Sequence, residues 1–238
     1  MEHSFFSLPV QTDLARRVAP FDSLQQPAAN RSSIWFFDSP KNDTRLTINT
    51  NLAFMHSVLL EGDVSVAGYD IHPPPRSFDS NGKEIQIKVD AIVYRHGGGV
   101  EWWNFRWNQK RSGKRKAHAA EHDPENVSEC AAHKTGATYV VKTERDLLGK
   151  EILFDNWLTL CAAITRCRGH FLGREAEEFA RRLSLQHSVT LGNLLAIPKI
   201  DVALMLAVVA TSLQRGTTRT NLHSQLVGPM SLLSRVAS

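Results

Sequence analysis

Polar side chains occur at the end of one predicted strand and along the next one. Asp90 ends the segment EIQIKVD, and Glu101, Asn104 and Arg106 belong to the segment VEWWNFRW. Carboxylates bind hard divalent ions such as Mg²⁺ or Mn²⁺, which activate water and offset charge on a phosphodiester during hydrolysis. Because side chains alternate along a strand, Asn104 and Arg106 share one face. Glu101 likewise shares a face with Trp103. Asp90 is the expected metal ligand if a metal is bound.

The residue types in this group are poorly suited to cleavage. Asparagine is a neutral and weaker ligand than a carboxylate for a hard cation, and arginine, with a pKa above about 12, cannot act as a base near neutral pH. A site made of Asp90, Asn104 and Arg106 should therefore bind phosphate better than it cleaves a phosphate ester. There are two alternatives: residual activity through Asp90 and Glu101, or a solvent-facing Asp90 without a chemical role.

A run of basic residues follows the tryptophan-rich strand. Five of the seven residues from 110 to 116 are basic, namely Lys110, Arg111, Lys114, Arg115 and Lys116. Such a cluster would form a dense positive patch suited to phosphate contacts, whereas the plainer interpretation is a solvated loop. The formal net charge of +4 favours phosphate-bearing partners but says nothing about sequence-specific reading.

Histidines after the basic run have the spacing of metal ligands. HAAEH, from His118 to His122, matches the H-x-x-E-H pattern of zinc peptidases, but its surroundings are basic and polar and offer no apolar face for a helix. A structural zinc site would use His118, His122, Cys130 and His133. The spacing in CAAH supports that second alternative. Solvated loop histidines are the favoured interpretation.

The composition is that of a soluble globular protein. The 238 residues are 42% hydrophobic, which is too apolar for a wholly disordered chain, and their number allows one large domain or two unequal ones. The longest apolar run, from Val202 to Ala210, is too short to span a membrane, and MEHSFFSLPV lacks a positive leader and a long apolar core, so we expect no secretory signal. The three cysteines form no C-x-x-C motif and cannot all pair, so we expect a reduced, cytoplasmic protein.

The predicted elements divide the chain into three parts. Residues 1–33 are rich in proline and small polar residues, which favours an irregular arm. Residues 34–154 contain a helix that ends near Gly62, the strand candidates VSVAGYDI, EIQIKVDAIVYR and VEWWNFRW, and the later strand ATYVVKT. HGGG at 96–99 is a hairpin signal. Residues 155–238 have a helical pattern to the end, so we predict a mixed α/β domain followed by a helical one.

The order of these elements is the layout of restriction-type nucleases, in which an aspartate ends the central strand after a helix and polar residues follow on the next strand. NTNLAFMHSVLLEGDVSVAGYDIHPPPRSFDSNGKEIQIKVDAIVY resembles the amino-terminal domain of TnsA-type endonucleases, the restriction-fold partners of heteromeric transposases. That family has an L-x-x-D-P-x-V turn, a QP strand and an x-PDF strand. The matching positions are Leu60, Asp63, Val66, His72, Pro73, Val89 and Asp90.

Later segments extend the resemblance to about residues 30–235. ATYVVKTERDLLGKEILFDNWLTLCAAITRCRG is similar to the family's y-x-V-x-T-E strand and N-x-x-x-L helix, and QRGTTRTNLHSQLVGPMSLL resembles the end of its winged-helix domain. The resemblance implies an α/β fold, with a restriction-endonuclease-like mixed sheet flanked by helices in 34–154 and a small helical, winged-helix-like domain in 155–238. Arg215 and Arg219 would lie on the wing, where such proteins contact phosphates or a partner protein.

Two departures from the family pattern affect catalysis. The helix glutamate of the family falls on Ala53, and residues 44–60 contain no acid that could replace it. The family's E-x-K strand is also incomplete in both of its registers, which are Glu101 with Trp103 and Asn104 with Arg106. The resemblance therefore implies a nuclease fold with a damaged catalytic site.

The resemblance implies a component of a TnsA-like DNA transposition machinery with little or no nuclease activity. Its expected partners are transposon-end DNA, a transposase subunit and an AAA+ transposition regulator. The first alternative is an active metal-dependent DNA endonuclease that cuts transposon ends, which would need Mg²⁺ or Mn²⁺. The second alternative is a winged-helix DNA-binding regulator.

Overall fold

The computed structural model describes residues 33–80, 83–107 and 124–236. Almost the whole predicted arm lies outside these ranges, and so does the basic run from Lys110 to Lys116. His118 and His122 also lie outside the described residues. The described chain is a mixed α/β structure whose four-stranded mixed sheet is flanked by helices.

The first part of the described chain contains eight strands and two helices. The elements are β1 (Trp35–Ser39), β2 (Thr44–Ile48), α1 (Asn51–Gly62), β3 (Val66–Ile71), β4 (Arg76–Ser80), β5 (Lys83–Ile87), β6 (Ala91–Arg95), β7 (Val100–Arg106), α2 (Pro124–Lys134) and β8 (Thr138–Thr143). A 3₁₀ turn follows at Glu144–Leu147. The predicted helix that ends near Gly62 is confirmed as α1, and HGGG forms the turn between β6 and β7.

The main sheet has the strand order β3-β6-β7-β8. β3, β6 and β7 are antiparallel neighbours, whereas β8 runs parallel to β7 and is reached through α2. A parallel pair needs a long crossover, and a helix commonly supplies it. Across this sheet Ala91 faces Trp103, and Trp103 faces Val140. This register decides which polar side chains meet.

The two flanking helices pack against opposite faces of the main sheet. On one face Leu60 of α1 lies in a cluster with Trp103. On the other face Ala131 of α2 lies in a cluster with Trp102. Both tryptophans are buried, whereas Trp107 at the end of the strand is 42% exposed. Because side chains alternate along β7, Trp102 and Trp103 point to opposite faces and pack into different hydrophobic clusters.

The segment predicted as one strand, EIQIKVDAIVYR, forms two strands. β5 pairs with β4 as a separate hairpin, and β6 pairs with β3 and β7 in the main sheet. The chain changes partners at residues 88–90, where Asp90 O accepts from His72 N at 2.8 Å and Asp90 N donates to Trp103 O at 2.9 Å. The prediction of a single strand is wrong. Apolar residues continue to alternate across residues 88–90, so the sequence pattern does not show that the chain changes pairing partners there.

The polar stretch before ATYVVKT contains a helix that the sequence analysis did not predict. This helix, α2, buries Ala131 and Ala132 against the sheet while Cys130 and His133 are exposed. Alanine contributes only a weak hydrophobic signal, so the buried face of α2 is hard to recognise from periodicity.

Short strands accompany the helices of the second part of the chain. The elements are α3 (Glu151–Arg166), α4 (Gly173–Leu185), β9 (Ser188–Thr190), α5 (Leu191–Leu195), α6 (Val202–Gln214), β10 (Thr218–Arg219) and β11 (Leu232–Arg235). The three strands form an antiparallel sheet in the order β10-β11-β9. The prediction of a helical pattern to the end is wrong for these strands, which are too short to show a period. Among the described helices, none has the length and apolar character needed to cross a membrane.

One hydrophobic core runs through both parts of the described chain. It includes Met55 of α1, Phe154 and Leu160 of α3, and Met205 of α6. α3 packs against both α1 and α6. The predicted boundary between residues 154 and 155 therefore falls inside a helix that both parts share.

Candidate functional site

Asp90 lies at the bend between β5 and β6 and faces β7. Its Oδ2 accepts a hydrogen bond from Phe105 N at 2.8 Å. Its backbone N lies 3.3 Å from Asn104 Oδ1, which accepts from it. The sheet register agrees, because Ala91 faces Trp103 and the preceding residue therefore lies level with Asn104. The structure thus brings Asp90 and Asn104 together.

A tyrosine from the parallel strand joins this pair. Asn104 Nδ2 donates to the Tyr139 hydroxyl oxygen at 2.8 Å. Burial raises the pKa of Tyr139, while the nearby positive charge of Arg106 and hydrogen bonds from Asn104 and Arg106 oppose that rise. Asp90, Asn104, Arg106 and Tyr139 therefore form one group, which we call the strand-end cluster. Tyr139 was missed in the sequence because its proximity depends on the β7–β8 pairing.

The strand-end cluster contains one carboxylate and several groups that can donate hydrogen bonds. The guanidinium of Arg106 matches the oxygens of a phosphate, and the Asn104 amide and Tyr139 hydroxyl add neutral donors. Mg²⁺ is usually held by one or two carboxylates together with water and substrate phosphates, so Asp90 alone would need a bound phosphate to complete a site. Within the described residues, no three histidine, cysteine or acidic side chains converge on a common metal position.

Glu101 is held away from the strand-end cluster. It faces Val93, three residues along β7 from Asn104, which is a distance of roughly 10 Å, and its side chain points to the other face. Arg95 donates to both of its carboxylate oxygens, at 2.9 and 3.0 Å, and Trp103 Nε1 donates at 2.8 Å. Burial raises the pKa of Glu101, but these hydrogen bonds outweigh burial, so the pKa lies below its usual value. The Glu101 carboxylate is therefore held in an ion pair with Arg95.

Ala53 lies in the first turn of α1, where its backbone N donates to the Thr50 side chain at 3.1 Å. It is fully buried and brings no carboxylate to the sheet. The acidic residue of this helix is Glu61, at the opposite end, where it accepts hydrogen bonds from Tyr69 and Gln214. Burial raises the pKa of Glu61, although hydrogen bonds from Ser39 and Tyr69 oppose the rise. Glu61 is therefore held in its own hydrogen-bond network and is not one of the four residues of the strand-end cluster.

Cys130 and His133 are both exposed on α2. Their two proposed zinc partners, His118 and His122, lie outside the described residues. The structural zinc site therefore stays a prediction.

Arg215 and Arg219 line different surfaces. Arg215 follows α6 and lies on a groove of about 610 Å³ between α4, α6 and the small sheet. Arg219 lies on β10 and lines a cleft of about 460 Å³ between that sheet and the main sheet. Arg219 Nε donates to Ser234 Oγ at 3.3 Å. The five residues from Lys110 to Lys116 lie outside the described residues, so no distance relates them to either arginine.

Comparison with protein-family models gives no match, and comparison with curated proteins gives no significant match. Function is therefore inferred from side chains, strand order and charge.

Proposed function

We propose that the chain is a DNA-binding component of a TnsA-like transposition machinery, with little or no nuclease activity of its own. The observation that carries the proposal is the strand-end cluster, in which Asp90 faces Asn104 beside Arg106. Transposon-end DNA is the proposed ligand, and a transposase subunit and an AAA+ regulator are the proposed protein partners.

Strand order supports a restriction-endonuclease-like fold for the first part. α1 is followed by three antiparallel strands of the main sheet, β3, β6 and β7, and then by α2 and the parallel strand β8. The β4–β5 hairpin is inserted between β3 and β6. Polar residues on β7 agree with the layout expected from the resemblance, whereas Asp90 lies just before the central strand β6 and does not end it as expected.

The chemistry of the cluster supports binding without cleavage. Since Asn104 faces Asp90, the register that matches the family's E-x-K is Asn104 with Arg106. The usual second carboxylate is then an amide, and the usual lysine is an arginine, a residue type that does not serve as a general base. The cluster can hold a phosphate through Arg106, but it has neither a general base nor a full set of metal ligands.

The second part of the chain supports a winged-helix-like unit. Its order is helix, helix, strand, helix, helix, strand, connection and strand, and its sheet order is β10-β11-β9. In helix-turn-helix proteins the second helix of the motif reads DNA bases. Here α6 would occupy that position, but Val202–Gln214 contains no basic residue and buries most of its apolar side chains in the core. We therefore assign this unit to partner binding or to phosphate contacts through residues 220–231 rather than to base reading.

The test is a nicking and binding assay on the full-length protein. Labelled transposon-end duplex is incubated with Mg²⁺ or Mn²⁺, with the protein alone and with its transposase partner. We expect binding without nicking by this chain. Nicking that Asp90→Ala abolishes would contradict the proposal and establish the endonuclease alternative.

Two sets of substitutions in the full-length protein distinguish the proposed function from the winged-helix regulator. Arg106→Gln removes the charge of the strand-end cluster, and Arg215→Gln with Arg219→Gln removes charge from the second part. We expect Arg106→Gln to weaken duplex binding by about tenfold, as loss of a charged hydrogen bond to phosphate would. Binding that depends only on Arg215 and Arg219 would instead favour the winged-helix regulator.

A further inference from the structure

A second cleft opens on the α1 side of the main sheet, opposite the face that carries Asn104. Its volume is about 460 Å³, within the range of roughly 300–1,000 Å³ typical of ligand sites. One wall comes from α1, β7 and β8, and the other comes from Thr218, Arg219 and Thr220 of the second part. None of the four residues of the strand-end cluster lines it, so it is a separate site.

Both acidic side chains that line this cleft accept hydrogen bonds from other protein groups. Asp63 accepts from Arg95 Nη1 at 2.7 Å and from Ser65 Oγ at 2.6 Å. Asp146 accepts from the backbone N of Thr143 at 2.7 Å and from its hydroxyl at 3.0 Å, as part of a capping box. Asp63 is therefore paired with a cation, whereas the Asp146 carboxylate accepts only from neutral groups and its negative charge attracts Lys142.

Three further cationic side chains line the cleft, and none has a described acidic group within ion-pair distance. Among the described residues, Lys142, Lys150 and Arg219 form no ion pair within 4.0 Å. Lys142 Nζ lies 4.5 Å from the centre of the Trp103 ring, a cation–π contact that leaves its hydrogen-bond donors available. The three charges come from β8, from the residue before α3, and from β10. With Arg95, four cationic side chains line the cleft against the two carboxylates, and this excess of positive charge favours an anion.

A buried hydroxyl gives an independent indication of a ligand. Thr220 Oγ1 is inaccessible to solvent and has no hydrogen-bond partner among the described residues, although Thr220 lines the cleft. A buried polar group without a partner is costly, and such groups commonly bind a ligand, ion or water. Because Oγ1 is inaccessible in this conformation, the Thr220 side chain must rotate towards the cleft before its hydroxyl can donate to an anionic oxygen. His56 adds no charge at neutral pH, because burial lowers its pKa to about 4.

We propose that this cleft binds a phosphate group through Lys142, Lys150, Arg219 and Thr220. The phosphate belongs either to a nucleic-acid strand or to a nucleotide, since both present the same anionic oxygens. Clustered ammonium and guanidinium groups with a hydroxyl donor are the partners that phosphate prefers. This phosphate site goes beyond the proposed transposition role and does not require the strand-end cluster. Only the assignment of its phosphate to a nucleic-acid strand rests on the proposed DNA binding.

The first experiment titrates the full-length protein with sodium pyrophosphate by calorimetry. Lys142→Gln with Lys150→Gln should weaken binding by about tenfold or more, and Thr220→Val, which keeps the shape of the side chain, should weaken it severalfold. The control is Arg174→Gln with Lys199→Gln, which removes the same charge from exposed positions that do not line the cleft. Equal binding by the cleft and control variants would overturn the proposal. Circular dichroism melts verify that each variant is folded.

The second experiment identifies the source of the phosphate by competition against pyrophosphate. Displacement by a short single-stranded oligonucleotide assigns the site to a nucleic-acid strand, and displacement by ADP alone assigns it to a nucleotide. Pyrophosphate binding that neither competitor displaces would mean an adventitious ion only, and would overturn the proposal.

The outcomes for the two proposals are distinguishable. If the protein binds transposon-end duplex but the cleft variants bind pyrophosphate as well as the control does, the cleft proposal fails and the proposed function stands. If the protein binds pyrophosphate in the cleft but no duplex, the proposed function fails and the cleft proposal stands.

Discussion

At the scale of single residues, strand alternation decides which side chains can act together. Glu101 and Asn104 lie on the same strand, yet Glu101 is paired with Arg95 on one face and Asn104 contacts Tyr139 on the other. A carboxylate at Glu101 therefore cannot complete a metal site around Asp90. The residue types at positions 104 and 106, an amide and a guanidinium in place of a carboxylate and an amine, account for the proposed lack of cleavage.

Restoring those two residue types should restore part of the chemistry. We expect Asn104→Glu with Arg106→Lys to raise Mn²⁺-dependent nicking of supercoiled plasmid by at least roughly 10²-fold, since it supplies a second carboxylate and a group that can orient or deprotonate the nucleophile. Adding Asp90→Ala to this variant should return nicking to the wild-type level. Nicking that survives loss of Asp90 would show that the cluster is not the site of cleavage.

His56 should make stability depend on pH. Burial lowers its pKa from 6.5 to about 4, while a backbone hydrogen bond with Thr143 opposes the shift. As pH falls from 6.5 to about 4, the unfolded chain takes up a proton that the folded chain does not, so stability is lost on acidification. We expect a loss of roughly 3 kcal/mol across this interval relative to His56→Phe, measured by urea unfolding at each pH. Parallel stability curves for the two proteins would contradict this assignment.

At the scale of elements, close packing of α1 on α3 explains the glycine that ends α1. A Cβ built on Gly62 would lie 2.0 Å from Trp157 Nε1, which is impossible without movement of the indole. Trp157 is itself buried in the core. The absence of a side chain at Gly62 is therefore a packing requirement, and Gly62 is not among the described glycines with a positive φ.

Replacing Gly62 should destabilise the protein. We expect Gly62→Ala to lower the free energy of unfolding by about 1–3 kcal/mol, because overpacking forces the indole or a helix to shift. Gly97→Ala is the matched control, since a Cβ at Gly97 would meet no atom within 4 Å. Thermal melts of the two variants provide the comparison, and equal melting temperatures would show that the Trp157 contact relaxes without cost.

A second contact between elements holds the connection that precedes β11. Asn156 of α3 donates to Leu222 O at 2.8 Å and Gln225 O at 2.9 Å, and it accepts from Val227 N at 2.7 Å. One amide therefore satisfies three backbone groups of residues 220–231. This anchor positions Thr220 and Arg219 at the edge of the phosphate cleft.

At the scale of the whole molecule, a buried polar network joins the two parts of the chain. Glu61 of α1 accepts hydrogen bonds from Ser39 of the first hairpin, from Tyr69 of β3 and from Gln214 of α6. Together with the shared hydrophobic core, this hydrogen-bond network connects the main sheet to the second part of the chain. The cleft between the two sheets is thus built from elements that pack directly on one another.

The proposed DNA binding should depend on salt according to the number of phosphates engaged. Replacing the five basic residues from Lys110 to Lys116 with glutamine should make the slope of log affinity against log salt less steep by up to about 4 to 5, if each contacts a phosphate. Fluorescence anisotropy of labelled duplex over a salt series measures this slope. An unchanged slope would mean that the run only increases solubility.

The sequence by itself determined the features that depend on neighbouring residues. The helical spacing of Leu52, Met55 and Leu59 predicted α1, HGGG predicted the turn before β7, and residue pattern predicted that VEWWNFRW is a strand. These signals are local, because helix capping, turn conformation and side-chain alternation are set within a few residues.

Only the tertiary structure decided which residues meet. Strand register selected Asn104 rather than Glu101 as the residue opposite Asp90, parallel pairing brought Tyr139 to Asn104, and packing of the two parts brought Arg219 towards Lys142. The same dependence on pairing explains the missed break before β6. Contacts between residues distant in the chain depend on pairing and packing energies summed over the whole fold, which no short stretch of sequence encodes.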